Sequence, residues 1–247
     1  MSSNGSQRLQ TLLHHLKSPS NTNPLKETSI YKQNKRAAVL ICLFEGQDGN
    51  LRVILTQRAS SLSTHAGEVA LPGGKRDESD ADDIETALRE AKEEIGLDPS
   101  LVTVVTLLEP FHTKYGITII PVVGILSNKD TFSPILDSAE VEAVFDVPLE
   151  MFLKNDNRRS EEREWLGEKH LVHYFDYEVG NKRYVLWTQS RNANDQKKST
   201  MYEAPTNNMY VTKLVILGVH FAMNFLVYNH LESLMSRGTS WLSLGTF

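Results

Sequence analysis

Apolar residues fall in short continuous runs before residue 60 and at helical spacing after residue 80, and that change of period sets out the elements. AAVLICLF (Ala37 to Phe44) and LRVILTQR (Leu51 to Arg58) are β-rich runs separated by EGQDGN. The acidic and glycine residues between them suit a hairpin turn, so two paired strands are predicted. EVALPGGK, residues 68–75, ends an apolar stretch in Pro-Gly-Gly. In DADDIETALREAKEEIGL the apolar positions Ile84, Ala87, Leu88, Ala91 and Ile95 line one face of a helix. Asp80, Asp82 and Asp83 suit its N-terminal cap and the positive end of its dipole, Gly96 suits a C-cap, and Pro99 prevents resumption. LVTVVTLLEPF and GITIIPVVGIL are β-rich. EVEAVFDVPLEMFL predicts a strand ending at Asp146 to Pro148 and then a short helix, and Lys169 to Trp187 an aromatic-rich pair around Gly180-Asn181. The alternation predicts one α/β (α+β) domain with a mixed sheet rather than a regular βαβ array. No internal repeat is visible.

The flanks are less regular. Residues 1–34 read as a short amphipathic helix, with Leu9, Leu12, Leu13 and Leu16 on one face, and a polar connector broken by Pro19 and Pro24. Residues 35–187 hold the predicted domain. Residues 188–247 form a tail, polar at first, whose apolar run Leu214 to Tyr228 is shorter than a membrane span and contains His220 and Asn224. No stable membrane span is predicted.

Composition narrows the classes. The 247 residues are 40% hydrophobic and 23% charged, ordinary globular values, and the formal net charge of -5 gives no general attraction for a nucleic-acid backbone. Cys42 is the one cysteine and sits mid-strand among apolar neighbours, so it reads as a core residue and excludes an internal disulfide. A reducing compartment follows. The start lacks the apolar region of a signal peptide and is poorer in arginine than an organelle transit segment, which makes the cytoplasm the default and the mitochondrion the alternative.

The predicted helix carries the unusual chemistry. Glu90 and Glu94 are four residues apart and project from one face, with Glu93 beside them. Like charges at that spacing destabilise a free helix by a few tenths of a kcal/mol. A fully solvated face is the ordinary reading for glutamates alone. LPGGK just upstream adds a glycine turn that can approach a ligand closely, and Lys75 and Arg76 add positive charge of the kind phosphate oxygens require. An oxygen-rich site for Mg²⁺ or Mn²⁺, shared with a phosphate substrate, reconciles these features.

Arg89-Glu90-Ala91-Lys92-Glu93-Glu94-Ile95-Gly96-Leu97 matches, at every defined position, the second half of the signature box of the Nudix hydrolases, and GGKRDESDADDIETALREAKEEIGL as a whole resembles that box. The first half departs from it. Asp80 stands six residues after Gly74, where the family has glutamate, and nine residues before Arg89 rather than eight. In the family the first glutamate is thought to hold the arginine. Glu85, four residues before Arg89, is the preferred partner here and Asp80 the alternative. ILTQRASSLSTHAGEVALPGGK further resembles the segment before the box in Nudix hydrolases acting on coenzyme A: Thr56, Arg58, Leu62, His65, Gly67, Pro72, Gly73, Gly74 and Lys75 fall in place, and Ala59 replaces the common serine.

The resemblance implies a Nudix fold, a mixed β-sheet sandwiched between helices, and a small-molecule substrate. It implies metal-dependent hydrolysis of coenzyme A to 3',5'-ADP and 4'-phosphopantetheine, with Glu90 and Glu94 as principal ligands of Mg²⁺ or Mn²⁺. Glu93 would be a further ligand or the base, a Gly73 or Gly74 carbonyl an extra ligand, and Arg89 the residue holding helix to loop. Arg58, His65, Gly73 and Lys75 would contact substrate, and Glu140, with Glu142 in reserve, could add a ligand or base. Two rivals stand beside it: an ADP-ribose or NADH pyrophosphatase of the same family, and a non-catalytic module of the same fold. The resemblance runs from about Lys35 to Trp187; the polar stretch beginning TQSRNANDQKK departs from it.

Overall fold

The computed structural model describes residues 35–108, 110–112, 116–152, 158–165 and 168–190. The expected N-terminal helix and connector, and the tail from residue 191 with its apolar run, lie outside the described residues.

Strand β1 (Lys35–Glu45) is central. It pairs antiparallel with β2 (Leu51–Arg58) and with β4 (Gly73–Lys75), and parallel with β7 (Ile117–Leu126) from Lys35↔Ile117 to Leu43↔Ile125. The sheet is therefore mixed, as the alternation predicted. β2 also pairs with β3 (Val69–Ala70) and β8 (Val141–Pro148), and β7 with β5 (Val102–Leu107) and β6 (Phe111–His112).

Ala37 to Phe44 are buried throughout because both faces of β1 are covered, and this is why the run is continuously apolar instead of alternating. Ala38, Leu40 and Cys42 pack toward Ala87, Ala91 and Ile95 of helix α1 (Asp83–Ile95). Burial pushes the Cys42 thiol up to about 12, so it packs as a small hydrophobe, as expected. Ala37, Val39, Ile41 and Leu43 face the other side, where Phe145 and Val147 meet Phe175, Tyr184 and Leu186.

Those last three come from a separate antiparallel sheet of β9 (Arg158–Trp165), β10 (Glu168–Val179) and β11 (Lys182–Ser190). Phe145 and Tyr184 stack at 3.8 Å between centroids, and Arg52 reaches both the Asp146 carboxylate and the Tyr177 hydroxyl. Helices were expected on both faces; among the described residues α1 covers one, and the three-stranded sheet supplies side chains to the other. The Gly180-Asn181 turn falls where it was predicted. β11 runs three residues past the expected domain end at 187. Among the described residues no helix is long and apolar enough to cross a membrane.

Candidate active site

Helix α1 begins where its acidic cap predicts. The Asp82 carboxylate accepts from the Glu85 N–H at 2.8 Å, and the Glu85 carboxylate accepts from the Ala81 N–H at 2.6 Å, a reciprocal cap. Gly96, at φ 70°, closes the other end by donating back to the last turn. These two ends fix the register of the helix, and the register decides which glutamates face the glycine turn.

Glu90 and Glu94 face it. The Gly73 N–H donates to Glu94 Oε2 at 3.1 Å, and a Cβ on Gly74 would overlap the Glu90 carboxylate. Only glycine at position 74 leaves room for that carboxylate against strand β4. Gly73, at φ 154°, lies against the Ala38 carbonyl in the same way.

Burial sets the electrostatics. Glu94 is 5% exposed, and its carboxyl is pushed up to about 8, by burial first and then by the fields of Glu90 and Glu140; the Gly73 N–H and Arg58 act in the opposite sense. Glu90 is pushed up to about 7, again by burial first, with Arg89 opposing and Glu93 and Glu140 adding. The two carboxyls thus stand in a pocket of excess negative charge that either protons or an added cation can relieve.

Arg89 holds the helix to the loop, and its partner is Asp80. Nε donates to Asp80 Oδ1 at 2.9 Å and Nη2 to Oδ2 at 3.0 Å, while Nη2 also donates to the Lys75 carbonyl at 3.0 Å. This corrects the preference for Glu85, which is occupied by the helix cap. The buried Asp80 carboxylate also accepts from the Thr86 hydroxyl and the Asp77 N–H, both at 2.9 Å. Arg89 foremost, and these bonds after it, hold the Asp80 carboxyl well below the usual range, and Asp80 in turn drives Arg89 up. In the 76–82 loop Arg76 donates to the carbonyls of Asp80 and Ala81.

The other candidates separate. Glu93, 58% exposed on its side chain, pairs with Arg89 Nη1 at 2.8 Å and lies toward solvent, apart from the Gly73 contact that Glu94 makes. Arg58 ends β2, and its charge is felt at Glu94. The Lys75 side chain is exposed, and its backbone is what enters the Arg89 network. The His65 ring is only 6% exposed; its Nδ1 lies 2.7 Å from Glu68 Oε2, and its backbone sits at φ 54°. It belongs to a loop closed by backbone bonds of Arg58 with Gly67 and Glu68. Glu140 is exposed, accepts from the Ala59 N–H through its carbonyl at 2.8 Å, and adds its charge to the field at both Glu90 and Glu94. Glu142 instead pairs with Lys182 at 3.3 Å.

Sequence reasoning missed Thr86 and Glu68 as supports. Neither residue carries a signal beyond its spacing from Asp80 and His65.

The donor set is entirely oxygen, which suits Mg²⁺ or Mn²⁺. Among the described residues no three histidine, cysteine, aspartate or glutamate side chains stand in metal-holding geometry. Arg89 lies 3.1 Å from Glu90 Oε1 and 2.8 Å from Glu93 Oε2. The Glu90 and Glu94 pair fits a divalent cation on two counts, the raised carboxyls and the space that Gly74 leaves; the remaining donors would come from Glu140, a carbonyl of the turn, and substrate.

A protein-family model described as NUDIX domain matches residues 34–194. Nudix hydrolase 15, mitochondrial, of Arabidopsis thaliana is 62% identical over 182 residues, covering 74% of this chain and 64% of that protein. Nudix hydrolase 22, chloroplastic, of the same plant is 60% identical over 171 residues, 69% of this chain and 57% of that protein. Peroxisomal coenzyme A diphosphatase NUDT7 of Mus musculus is 40% identical over 144 residues, 58% of this chain and 59% of that protein. The chain therefore spans less than two thirds of the length of either plant relative.

Proposed function

Because the chain belongs to the Nudix family, we propose that it hydrolyses the diphosphate bond of coenzyme A and its derivatives, giving 3',5'-ADP and 4'-phosphopantetheine or its acyl form. The observation that carries the reading is the pair of charge-crowded carboxylates, partly buried Glu90 and buried Glu94, set over a glycine turn. The loop beside that turn has the coenzyme A type of motif, and a coenzyme A diphosphatase from mouse is 40% identical to this chain over 144 residues.

Glu90 and Glu94 would hold Mg²⁺ or Mn²⁺, with Glu140 and a Gly73 or Gly74 carbonyl completing the donors. A bound divalent ion supplies charge neutralisation of the diphosphate and a more acidic water. Arg58 and Lys75 are assigned to substrate phosphates, since both flank the turn and guanidinium and ammonium groups suit phosphate. His65, turned onto Glu68, is assigned to the loop that frames them. Glu93, at the solvent edge on Arg89, takes up the proton of the attacking water as the new P–O bond forms and the bridging P–O bond breaks. Arg89 acts by position: its bonds to Asp80 and to the Lys75 carbonyl keep α1 in register with the turn.

The two plant relatives are named mitochondrial and chloroplastic. This favours an organelle over the cytoplasmic default read from the sequence.

A substrate panel tests the reading. The full chain is assayed on coenzyme A, an acyl-coenzyme A, ADP-ribose and NADH, with Mg²⁺, with Mn²⁺ and with a chelator. The expected result is metal-dependent release of 3',5'-ADP, with kcat/KM at least tenfold higher for the coenzyme A substrates, and turnover lowered by orders of magnitude in Glu94→Gln. Preference for ADP-ribose or NADH would move the assignment to that branch of the family. Absence of metal-dependent hydrolysis on all four would make the chain a binding module.

A further inference from the structure

Helix α1 ends against a segment that comes from far along the chain. Gly96 and Leu97 donate back to the carbonyls of Lys92 and Ala91, which leaves the carbonyls of Glu94 and Ile95 without partners inside the helix. The segment before β8 takes both. The Ile135 N–H donates to the Ile95 carbonyl and the Asp137 N–H to the Glu94 carbonyl, each at 3.0 Å. The approach is so close that a Cβ on Gly96 would lie 3.0 Å from the Ile135 side chain. Phe132 and Leu136 anchor the segment by packing into the cluster that holds Ala91 and Ile95.

Residues 137–140 then form a turn that is exposed at every position. Side-chain packing does little to shape an exposed turn, so its hydrogen bonds must, and Asp137 makes most of them. Its carbonyl accepts from the Glu140 N–H at 3.0 Å and the Val141 N–H at 2.8 Å, and its Oδ1 accepts from the Ala139 N–H at 2.9 Å. The far side of the turn is tied to the loop after β2, where the Glu140 carbonyl accepts from the Ala59 N–H at 2.8 Å, and buried Val141 begins β8. One residue thus carries a bond to the backbone of Glu94 and three bonds that shape the chain up to Glu140 and Val141.

We propose that Asp137 is a positioning residue of the glycine-turn site, holding Glu140 at a fixed offset from Glu94. The inference rests on the assignment of Glu140 to the donors of the divalent ion, and adds what keeps that donor in place. Glu94 is buried on a helix, whereas Glu140 is exposed on a turn, so closing both on one ion requires the turn to be tied to the helix. The Asp137 N–H supplies the tie and its carboxylate the shape. The charge of Glu140 acts on both Glu90 and Glu94, in keeping with a carboxylate close to the pair. A side-chain substitution at position 137 leaves the backbone tie and removes the shape, which separates the role from support of the helix end.

Calorimetric titration of the full chain with Mn²⁺, in the absence of substrate, tests this. Asp137→Ala should weaken Mn²⁺ binding about fivefold, the scale of one hydrogen bond that orients a ligand. Asp137→Asn keeps an oxygen for the Ala139 N–H and loses the charge, so it should bind Mn²⁺ within about twofold of the parent chain. In a Glu140→Gln background, Asp137→Ala should add less than about twofold to the loss, because the donor it positions is already gone. An equal loss in that background would overturn the proposal and make Asp137 a support of the helix end alone. Binding by Asp137→Asn as weak as by Asp137→Ala would overturn it too, by making the charge the feature that matters, as would unchanged affinity in Asp137→Ala or in Glu140→Gln. A Glu94→Gln control distinguishes failure here from failure of the metal reading: it should weaken binding more than about tenfold whether or not Glu140 is a donor. No loss in that control would withdraw the ion from the site and this proposal with it.

Discussion

Glu94 is costly to the fold, and the cost has a predictable pH dependence. In the ion-free chain its carboxyl titrates at about 8 instead of the usual 4.5, mainly because burial removes it from water. The folded state then holds the proton more tightly than the unfolded one. Below pH 4.5 both states are protonated and stability is at its highest; between 4.5 and 8 the unfolded chain gives up its proton first and stability falls; above 8 the loss is complete. At about 1.4 kcal/mol per decade the ceiling is about 5 kcal/mol. Glu90 titrates in the same window and shares the repulsion, and local relaxation softens it further, so we expect about 2 kcal/mol from Glu94 itself. Glu94→Gln keeps an oxygen to accept from the Gly73 N–H and removes the charge. At pH 8.5 in chelator the variant should therefore unfold about 2 kcal/mol later, a Tm rise of roughly 4 to 8 °C for a domain of this size. At pH 4.5 the two proteins should coincide. Saturating Mg²⁺ should raise the Tm of the parent chain and leave the variant nearly unmoved. Scanning calorimetry over this pH range, with and without the ion, checks all three, and a variant less stable than the parent at pH 8.5 in chelator would refute the reasoning.

Asp80→Ala should cost about 3 kcal/mol in urea unfolding, because it leaves the Arg89 guanidinium without its main partner, and should lower kcat with the helix displaced. Glu85→Ala removes only the reciprocal cap, so it should cost about 1 kcal/mol and leave kcat within twofold; equal effects of the two substitutions would return Glu85 to the role of partner. Acid should mimic the first change: the Asp80 carboxyl is depressed in the fold, so its contribution is present above about pH 4 and is lost as pH falls below that, which chevron or equilibrium unfolding between pH 2 and 5 would show. Gly74→Ala places a methyl on the Glu90 carboxylate, the end of a flexible side chain; kcat/KM should fall more than 100-fold while stability changes by less than about 1 kcal/mol, read from paired kinetics and melting curves.

The strands and the helix were legible because each buries a face whose period is local. Leu51–Arg58 and the Gly180-Asn181 turn fall where the residues put them, and α1 starts and stops at its caps. Two things were not legible. β9, RRSEEREW, is an edge strand with charges throughout, so it has no apolar period to find; its ladder to β10 and the stacking of Arg159 on Tyr174 at 4.4 Å hold it instead. The partner of Arg89 was misplaced because spacing along a helix favoured Glu85, whereas the competing bond of Glu85 to the Ala81 N–H and the fold-back of the 76–82 loop are properties of a turn with no periodicity. The parallel pairing of β1 with β7, 82 residues apart at Lys35↔Ile117, likewise depends on contacts that no local pattern encodes.

The same asymmetry explains why the acidic helix is tolerated. Of the three box glutamates, Glu93 is compensated by Arg89 at the solvent edge and adds little to the burden of folding. Glu90 receives partial compensation from the same guanidinium. Glu94 is left with one backbone N–H at 3.1 Å and the more distant charge of Arg58, far less than a buried carboxylate needs. A sequence selected for stability alone would place an apolar residue at position 94, where its neighbours in the helix, Ala91 and Ile95, are fully buried. The fold instead braces the helix through Arg89 on Asp80, Thr86 on Asp80, and Arg36 of β1 on Asp83, contacts made along its first two turns and the loop before it. Reinforcement at the start of α1 offsets deficit at its end, so the carboxylate pair stays aimed at the glycine turn in the absence of the cation that would complete it.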